Sequence, residues 1–433
     1  MEGAVLVIGG GVAGIQASLD LADKGVTVYL VEKSPSIGGR MAQLDKTFPT
    51  NDCSICILAP KMAECYGHPN VNVLTLSEVT GLDGEEGNFT AKVLKKARYV
   101  DVEKCTGCGE CIEKCPTKDI EHEWEMGLTT RKAIYMQFLQ AVPNAAVIDP
   151  DNCRYLTEGK CGVCAKVCKR DAIDYEMQDE EIELNVASVV VATGYDVWDP
   201  SEAPEYGYGK FDNVYTAMEY ERLINAAGPT GGHIKRRSDG KEPKKLAFIQ
   251  CVGSRNVQLG HPYCCAVCCM HSTKEAMLAR EHIEDINSTI FYKDMRACAK
   301  GFNEYVERAK NEYDVEYVNS DGTVQDQTED GDPIVAYDVH GKSKREEFDM
   351  VVLATTLLPS GSNPKVADAL GIELDEYGFI KIRNTAVGPV ETTRPGVYAA
   401  GYCAGPADIP ESVAMGSAAA AKAAEEIAHK VIA

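Results

Sequence analysis

The chain has 433 residues, 45% of them hydrophobic and 25% charged, which is enough for two or three domains and excludes wholesale disorder. With 66 acidic and 44 basic residues its net charge is −22, which argues against nucleic acid or anionic lipid as a partner. Since it lacks a long apolar run and a basic, apolar leader, we predict a cytoplasmic protein. Most of the 18 cysteines lie in tight clusters, which favours metal ligation over disulfides.

The first 32 residues predict a β-α-β unit that binds a dinucleotide. Residues 4–8 and 26–31 have the pattern of buried strands, and residues 12–24 that of a helix. The connecting turn, GGGVAG, fits G-x-G-x-x-G, in which the glycines permit a tight turn, a close pyrophosphate and close helix packing. Glu32 ends the second strand, where its carboxylate can accept hydrogen bonds from ribose hydroxyls. The alternative is a glycine turn in an ordinary β-α unit.

Three later segments favour FAD over NAD as the dinucleotide. Gly38-Gly39-Arg40 follows the acidic residue, Ala192-Thr193-Gly194 closes a later strand, and residues 401–408 precede a helix predicted over 411–432. Together they are typical of flavoprotein disulfide reductases, whose FAD domain is assembled from both ends of the chain. The predicted FAD-binding residues are Gly9, Gly11, Val12, Ala13, Gly14, Glu32, Lys33, Gly39, Arg40, Thr193, Gly194, Gly401 and Asp408.

An inserted ferredoxin-like domain is predicted over residues 99–178, because the texture changes to cysteine, proline and charge between Val102 and Met177. One cysteine set follows the bacterial ferredoxin run C-x2-C-x2-C-x3-C before Pro116, and a second has a longer first gap and Lys169 instead of proline. In such a run the fourth cysteine ligates the other cluster. Zinc is the alternative metal. The predicted [4Fe–4S] ligand sets are Cys105, Cys108, Cys111 and Cys168 for one cluster, and Cys153, Cys161, Cys164 and Cys115 for the other.

The flavin domain is predicted over residues 1–98 and 179–433, with a second Rossmann-like unit at about 245–355. We expect residues 200–245 to be rich in loops and residues 319–347 to form an exposed hairpin region. The strand over 246–250 leads into Cys251-Val252-Gly253-Ser254-Arg255 instead of a second glycine motif. This change predicts that no nicotinamide dinucleotide binds there, since side chains replace the glycines that admit a pyrophosphate.

Several cysteines outside the ferredoxin sets leave more than one interpretation open. The thiols crowded into residues 263–269 allow a third cluster, free structural cysteines or a redox disulfide. Cys53 and Cys56 allow a redox dithiol, a partial metal site or buried thiols. Three isolated cysteines are expected to be small buried residues, and the histidine next to the third group is expected to be structural; these are Cys65, Cys298, Cys403 and His271.

Nearly end to end, the chain resembles the A subunit of heterodisulfide reductase. The resemblance rests on residues 37–49 (IGGRMAQLDKTFP), 52–62, 104–116, 130–143, 248–255, 262–270 and 405–414 (GPADIPESVA). It implies an α/β fold: a Rossmann-like, thioredoxin-reductase-type two-dinucleotide FAD domain with an inserted α+β ferredoxin-like domain. It also implies that Lys274 lies near the flavin N5, and that a third [4Fe–4S] cluster is held by Cys251, Cys264, Cys268 and Cys269, with Cys265 as a surplus thiol.

The family role implied by this resemblance is electron transfer, in some complexes with flavin-based bifurcation, among ferredoxin, hydrogenase or quinone modules. The chain also resembles the A subunit of the quinone-interacting membrane-bound oxidoreductase, which is a shorter relative of the same family. The expected partners are therefore other redox subunits, and no direct insertion into a membrane is expected. Two alternatives remain at this point. One is an NAD(P)H-oxidising subunit of the glutamate synthase small chain type, and the other is a zinc-binding scaffold without redox activity.

Overall fold

A computed structural model describes residues 3–432 and divides into two compact units. The first unit comprises Met1–Ala42, Cys56–Tyr195 and Pro359–Ala433, and the second comprises Gln43–Ile55 and Asp196–Leu358. The short segment 43–55 therefore belongs with residues far away in sequence. The predicted domain boundaries at 98 and 178 stay predictions.

A seven-stranded sheet forms the centre of the first unit. The strand Ala4–Ile8 pairs in parallel with Thr27–Glu32 and with Ser188–Val191. Its side chains at Val5, Leu6 and Val7 are completely buried. Such a continuous apolar run is expected of a parallel strand covered on both faces. In spatial order the strands are Ile382–Asn384, Gly388–Thr392, Val397–Ala399, Ser188–Val191, Ala4–Ile8, Thr27–Glu32 and Val71–Thr75.

The first and last helices of this unit, Val12–Ala22 and Ile409–Ile432, pack against each other. A Cβ atom added to Gly416 would lie 2.5 Å from the carbonyl oxygen of Ala13, so a small residue is required at this contact. Fully buried alanines at 419, 420 and 423 extend the same close packing. The alanine-rich helix predicted near the C-terminus is confirmed, with its start two residues earlier than expected.

The predicted insert lies between two paired strands of a separate antiparallel sheet. Asn88–Lys95 pairs with Ser77–Glu85 on one side and with Glu180–Val186 on the other, in a register that sets Lys95 opposite Glu180. Between these strands the chain forms its own small apolar core, to which the ferredoxin cysteines contribute. The short elements there are helices Glu110–Lys114, Arg154–Glu158 and Val163–Val167 and strands Ile120–Glu121, Thr130–Arg131, Ile134–Tyr135 and Val147–Ile148.

The second unit contains a five-stranded parallel sheet, as the predicted Rossmann-like unit requires. In spatial order its strands are Val214–Thr216, Met350–Thr355, Lys245–Val252, Asn287–Tyr292 and Glu316–Asn319. The expected exposed hairpin region is confirmed as a three-stranded antiparallel sheet of Thr323–Gln327, Pro333–Val339 and Lys342–Glu347. The larger helices of this unit are Cys268–His282 and Phe302–Glu312. Elsewhere in the chain, helices are formed by Ser54–Gly67 and Asn363–Leu370.

Residues 200–245 are rich in loops, as expected, but they also contain a strand and a helix. Val214–Thr216 is a strand of the second sheet, and Ala217–Ile224 is a helix. A capping box starts this helix: the Glu219 N–H donates to Thr216 Oγ1 at 3.2 Å, and the Thr216 N–H donates to Glu219 at 2.6 Å. All eight residues of the helix are buried, including the charged Glu221 and Arg222, so its polar side chains do not mark a solvent-exposed face. Among residues 3–432, no helix has both the length and the apolar character of a membrane span.

Candidate functional site

The turn that follows the first strand has the geometry of a phosphate cradle. Gly9 has a φ of +106°, and an added Cβ there would lie 2.3 Å from the Ala192 carbonyl oxygen. A Cβ on Gly14 would lie 1.9 Å from the carbonyl oxygen of Gly9. At Gly11, by contrast, nothing lies within 4 Å of an added Cβ, so the backbone has an open side just before the helix N-terminus. An open backbone at a helix start suits a pyrophosphate.

Glu32 supports this turn with its carboxylate. Oε2 accepts a hydrogen bond of 2.7 Å from the Gly10 N–H, and Oε1 accepts bonds of 2.8 Å from the N–H and hydroxyl of Ser34. A carboxylate oxygen can accept two hydrogen bonds, and within residues 3–432 Oε2 accepts the one from Gly10. The predicted bond to a ribose hydroxyl is compatible with this geometry. The neighbouring Lys33 is exposed.

Other residues predicted to bind FAD converge on the same turn. A Cβ on Gly39 would lie 2.8 Å from the Cα of Gly11, and one on Gly401 would lie 3.1 Å from the Cβ of Ala13. Gly194 has a φ of +70° and faces open space, while the Thr193 hydroxyl donates to Asn363 Oδ1 at 2.7 Å. Three distant parts of the chain therefore meet around one cradle, as an FAD site requires.

Asp408 and Arg40 have partners within the protein. The Asp408 carboxylate accepts a 2.9 Å hydrogen bond from the Glu411 N–H and so caps the final helix, and burial raises its pKa. The Arg40 guanidinium lies 6.0 Å from the ring centroid of Tyr195. Asp408 thus has a structural role, and contact of either side chain with FAD stays a prediction.

The ferredoxin insert consists of two similar halves. In each half an aspartate carbonyl accepts a hydrogen bond from the first cysteine of the set: Asp101 from Cys105 at 2.9 Å, and Asp149 from Cys153 at 3.0 Å. Each half then has a glycine in the left-handed region, with φ of 78° at 109 and 83° at 162, directly before a five-residue helix. These helices carry the third cysteines of the two sets, so the local folding of both halves serves to present thiols.

Thiols from both halves line one cavity. Its lining shows whether the residues present suit an iron–sulfur cluster. Its lining combines apolar side chains with the four cysteines that the cross-ligation rule assigns to one cluster: Cys115, Cys153, Cys161 and Cys164. Four soft thiol ligands around one space suit an iron–sulfur cubane. Within the same small core lie three members of the other set, Cys105, Cys111 and Cys168.

In the second unit five cysteines gather where a nicotinamide cofactor would bind in a two-dinucleotide flavoprotein. The Sγ atoms of Cys251 and Cys268 are 3.9 Å apart, and Cys268 also contacts the thiols of Cys265 and Cys269. Cys264 contacts the side chain of Arg296 instead. The structure thus groups Cys265 with the other three thiols, whereas the family resemblance implies Cys264. The resemblance-based ligand set stays a prediction.

Lys274 lies in a buried cluster of charged groups. Its Nζ is 2.5 Å from Glu221 Oε1 and donates to the Lys46 carbonyl at 2.9 Å. His271 Nε2 lies 3.1 Å from Glu221 Oε1 and 2.9 Å from Glu275 Oε1. Both carboxylates and the lysine are almost completely buried, so these ion pairs are poorly screened. Sequence reasoning missed Glu221, and only the T-x-x-E cap of its helix could have indicated that a helix carries it.

The ionisation of this cluster follows from its contacts. Burial alone would raise the pKa of Glu221, but Lys274 and His271 lower it to about 2. Burial would lower the pKa of His271, but the two carboxylates raise it to about 9. Burial raises the pKa of Glu275 to about 7, against the opposing effect of His271. The expected structural role of His271 therefore takes the form of a bridge between two buried carboxylates.

The remaining cysteines divide into different classes. Cys53 and Cys56 form a disulfide, and Cys56 is exposed, so their interpretation as buried thiols is wrong. Cys65 and Cys403 are completely buried, as expected, but Cys298 is exposed, which corrects that expectation.

Comparison with known proteins agrees with this fold and site. The model of the pyridine nucleotide-disulphide oxidoreductase family matches residues 3–424. Thioredoxin reductases of T. acidophilum and Lactococcus lactis superpose with TM-scores of 0.52 and 0.53, over 98% and 99% of this chain and 99% and 100% of theirs. Both are 14% identical in sequence and so establish the fold alone. The chain belongs to the pyridine nucleotide-disulphide oxidoreductase family and has the predicted thioredoxin-reductase-type α/β fold.

Within this family the predicted resemblance to the A subunit of heterodisulfide reductase is confirmed. The chain is 46% identical to the A subunit of the "H(2):CoB-CoM heterodisulfide,ferredoxin reductase" of Methanothermobacter thermautotrophicus, over 97% of this chain and 63% of the relative. It is 50% identical to an A-type iron-sulfur subunit of the "CoB--CoM heterodisulfide reductase" of Methanopyrus kandleri, over 98% and 64%. The chain thus spans less than two thirds of the length of these curated relatives.

Proposed function

We propose that this chain is the FAD- and [4Fe–4S]-dependent electron-transfer subunit of a cytoplasmic heterodisulfide-reductase-like complex. The observation that carries the proposal is the combination, in one compact unit, of an open glycine cradle and a cavity lined by four cysteines. The relatives named as iron-sulfur and ferredoxin reductase subunits support both the cofactors and the membership of a larger complex.

Different residues are proposed to bind FAD and the iron–sulfur clusters. The turn from Gly9 to Gly14 offers backbone N–H groups to a pyrophosphate, and Glu32 fixes the turn while it keeps a position for ribose. The insert cysteines offer thiolates within a mostly apolar lining, which limits access of water. When bound, FAD would supply a two-electron carrier and the clusters one-electron carriers. The protein binds and orients these carriers.

Lys274 is proposed to act beside the flavin N5, as the family resemblance implies. An ammonium there would stabilise the anionic reduced flavin by charge attraction. Lys274→Met is expected to lower the midpoint potential of the flavin while FAD stays bound. Because this change also leaves Glu221 unpaired, the matched control is the double variant Glu221→Gln/Lys274→Met. A flavin potential equal to that of the wild type in both variants would assign Lys274 a purely structural role.

Cofactor content is the direct test of the proposal. Three [4Fe–4S] clusters and one FAD give about twelve irons per flavin in anaerobically purified protein. A value near eight would remove the third cluster. A colourless, zinc-containing protein would instead favour the alternative of a scaffold without redox activity.

The electron donor separates this proposal from an NAD(P)H-oxidising subunit. In the second unit a Cβ added to Gly253 would lie 2.5 Å from a ring carbon of Trp198. The Trp198 ring therefore covers this turn on the side where a pyrophosphate would approach. In anaerobic stopped-flow, reduced ferredoxin or dithionite is expected to bleach the flavin, and NADH and NADPH are not. Rapid bleaching by either nucleotide would restore the alternative.

A further inference from the structure

The two halves of the ferredoxin insert can be aligned by their hydrogen bonds. The Asp101 N–H donates to the Ala172 carbonyl, and the Asp149 N–H donates to the Ala133 carbonyl, both at 2.7 Å. Since each aspartate precedes the first cysteine of its set by four residues, Ala172 and Ala133 are equivalent positions. Three residues further along, Tyr175 in one half corresponds to Met136 in the other.

Tyr175 makes a contact that methionine cannot make. Its hydroxyl oxygen lies 2.8 Å from the Sγ atom of Cys164, which is buried. The Tyr175 ring also stacks on Tyr155, with ring centroids 3.8 Å apart and planes inclined by 21°. Both tyrosines line the cavity of the second cysteine set. The ring is therefore fixed on one side by stacking, while its hydroxyl points at a predicted cluster ligand.

Chemistry decides the direction of this hydrogen bond. A cysteine that binds iron does so as a thiolate and carries no proton, so it can only accept. A tyrosine hydroxyl, with an ordinary pKa of about 10, is protonated at neutral pH and can donate. In the other set the hydrogen bonds to sulfur come from backbone N–H groups: Ala172 donates to Cys168 at 3.4 Å, and Ile112 donates to Cys111. In the described range 3–432, only the second set receives a short hydrogen bond from a hydroxyl.

We propose that Tyr175 donates a hydrogen bond to the Cys164 thiolate and thereby raises the reduction potential of the cluster held by Cys115, Cys153, Cys161 and Cys164 above that of its neighbour. This inference rests on the proposed function, since it requires iron–sulfur clusters in the insert. Hydrogen bonds to the sulfurs are among the factors that set cluster potentials. A donor favours the reduced, more negative form, so the second cluster is the preferred resting place of a single electron.

The test is a redox titration followed by EPR on the full chain, with iron counted beforehand. In Tyr175→Phe the ratio of reduced to oxidised form at a fixed solution potential is expected to fall about tenfold for one cluster, which is about 59 mV for a one-electron couple. The other cluster of the insert is expected to titrate unchanged. Tyr155→Phe is the matched control, because it keeps the stacked ring and leaves the Cys164 contact intact, and it is expected to shift neither cluster.

The possible failures are distinguishable. Iron content equal to the wild type with both potentials unchanged, or both shifted alike, overturns the role of Tyr175 and leaves the proposed function standing. Wild-type protein that contains zinc in place of iron overturns the proposed function itself. If Tyr175→Phe loses iron, Tyr175→Met takes its place, since methionine is the residue at the equivalent position of the other half. Loss of iron from both variants would make Tyr175 an assembly residue and overturn the tuning role.

Discussion

Two turns, each at the end of a strand with parallel neighbours, suit different ligands in the two units. After the first strand of the first unit, Gly11 has open space beside its backbone. After Lys245–Val252 in the second unit, the turn is closed: Trp198 covers Gly253, and the Ser254 hydroxyl and the Arg255 N–H donate to the Tyr263 carbonyl at 2.9 and 3.0 Å. One turn has open space beside its backbone where we propose a pyrophosphate, and thiols lie beside the other.

This difference shows that strand–turn geometry does not by itself determine the ligand. Cys251 is the penultimate residue of its strand and has a φ of 58°, at a point where the pairing register with the neighbouring strand shifts. Such an irregularity re-aims a side chain at the sheet edge. When cysteine replaces glycine at such a turn, the groups offered to a ligand are thiols of side chains instead of N–H groups of the backbone.

The largest expected effect on cofactor binding comes from closing the open turn. Gly11→Val adds a side chain in the space proposed for the pyrophosphate without a clash in the protein itself, since nothing lies within 4 Å. We expect FAD affinity to fall at least about tenfold, or 1.4 kcal/mol, while the fold and the iron content persist. Equilibrium dialysis of FAD measures this change. Gly67→Val, at another open glycine of the same unit, is the control. Unchanged affinity in Gly11→Val would contradict the cradle.

Substitutions of two adjacent cysteines, Cys264 and Cys265, test which thiols of the second unit bind iron. If the resemblance-based ligand set is right, Cys264→Ser lowers the iron content from about twelve to about eight per flavin, and Cys265→Ser leaves it unchanged. The two variants are matched in chemistry and position. Iron loss in Cys265→Ser alone would instead agree with the thiol contacts around Cys268 and would reassign the fourth ligand.

The buried ion pair of the second unit gives the third prediction. Glu221→Gln leaves the Lys274 ammonium without its charged partner, and breaking a buried pair in this way costs about 3–5 kcal/mol in the free energy of unfolding. The double variant Glu221→Gln/Lys274→Met removes both charges and is expected to recover most of the loss. Urea unfolding at pH 7 measures both. Equal destabilisation of the single and double variants would show that packing, and not charge, dominates.

The same pair predicts a pH dependence with a definite sign. The pKa of Glu221 is lowered in the folded protein from 4.5 to about 2. Its stabilising contribution is therefore present above about pH 4.5 and is lost as the pH falls toward 2. The difference in unfolding free energy between wild type and Glu221→Gln should shrink over this interval. A constant difference down to pH 2 would contradict the assigned pKa.

The smallest expected effect concerns the helix that carries Glu221. Thr216→Ala removes the side-chain oxygen that caps the helix and is expected to cost about 1 kcal/mol in the free energy of unfolding. Thr216→Ser keeps a capping oxygen and serves as the control. Thermal unfolding of the two variants at one pH would be compared. Equal melting temperatures would show that tertiary packing alone holds this helix.

Features with short-range rules were predictable from the sequence. The glycine turn and the ferredoxin cysteines depend on fixed spacings within a few residues, and the structure brings their members together at two sites. The strands over residues 4–8 and 350–354 were equally accessible, because buried parallel strands are continuous apolar runs.

Contacts between distant segments were not predictable in this way. No spacing rule joins Glu221 to Lys274, and none shows that residues 43–55 contribute the Lys46 carbonyl that accepts from that lysine. Tyr175 was missed because a tyrosine after a cysteine motif is usually an ordinary packing residue. The choice between Cys264 and Cys265 depends on how the loop before Cys268 turns, which adjacency in sequence leaves undetermined.

The ladder that flanks the ferredoxin insert makes this part of the chain exchangeable. Lys95 and Glu180 are partners in an antiparallel pair, so the two points where the insert leaves and rejoins the sheet are only about 5 Å apart. A two-residue hairpin turn can bridge that gap. The whole insert between these strands could therefore be gained, lost or replaced in evolution while the antiparallel sheet keeps its register. A truncated chain closed by such a turn would retain the cradle and lack the cysteine cavity.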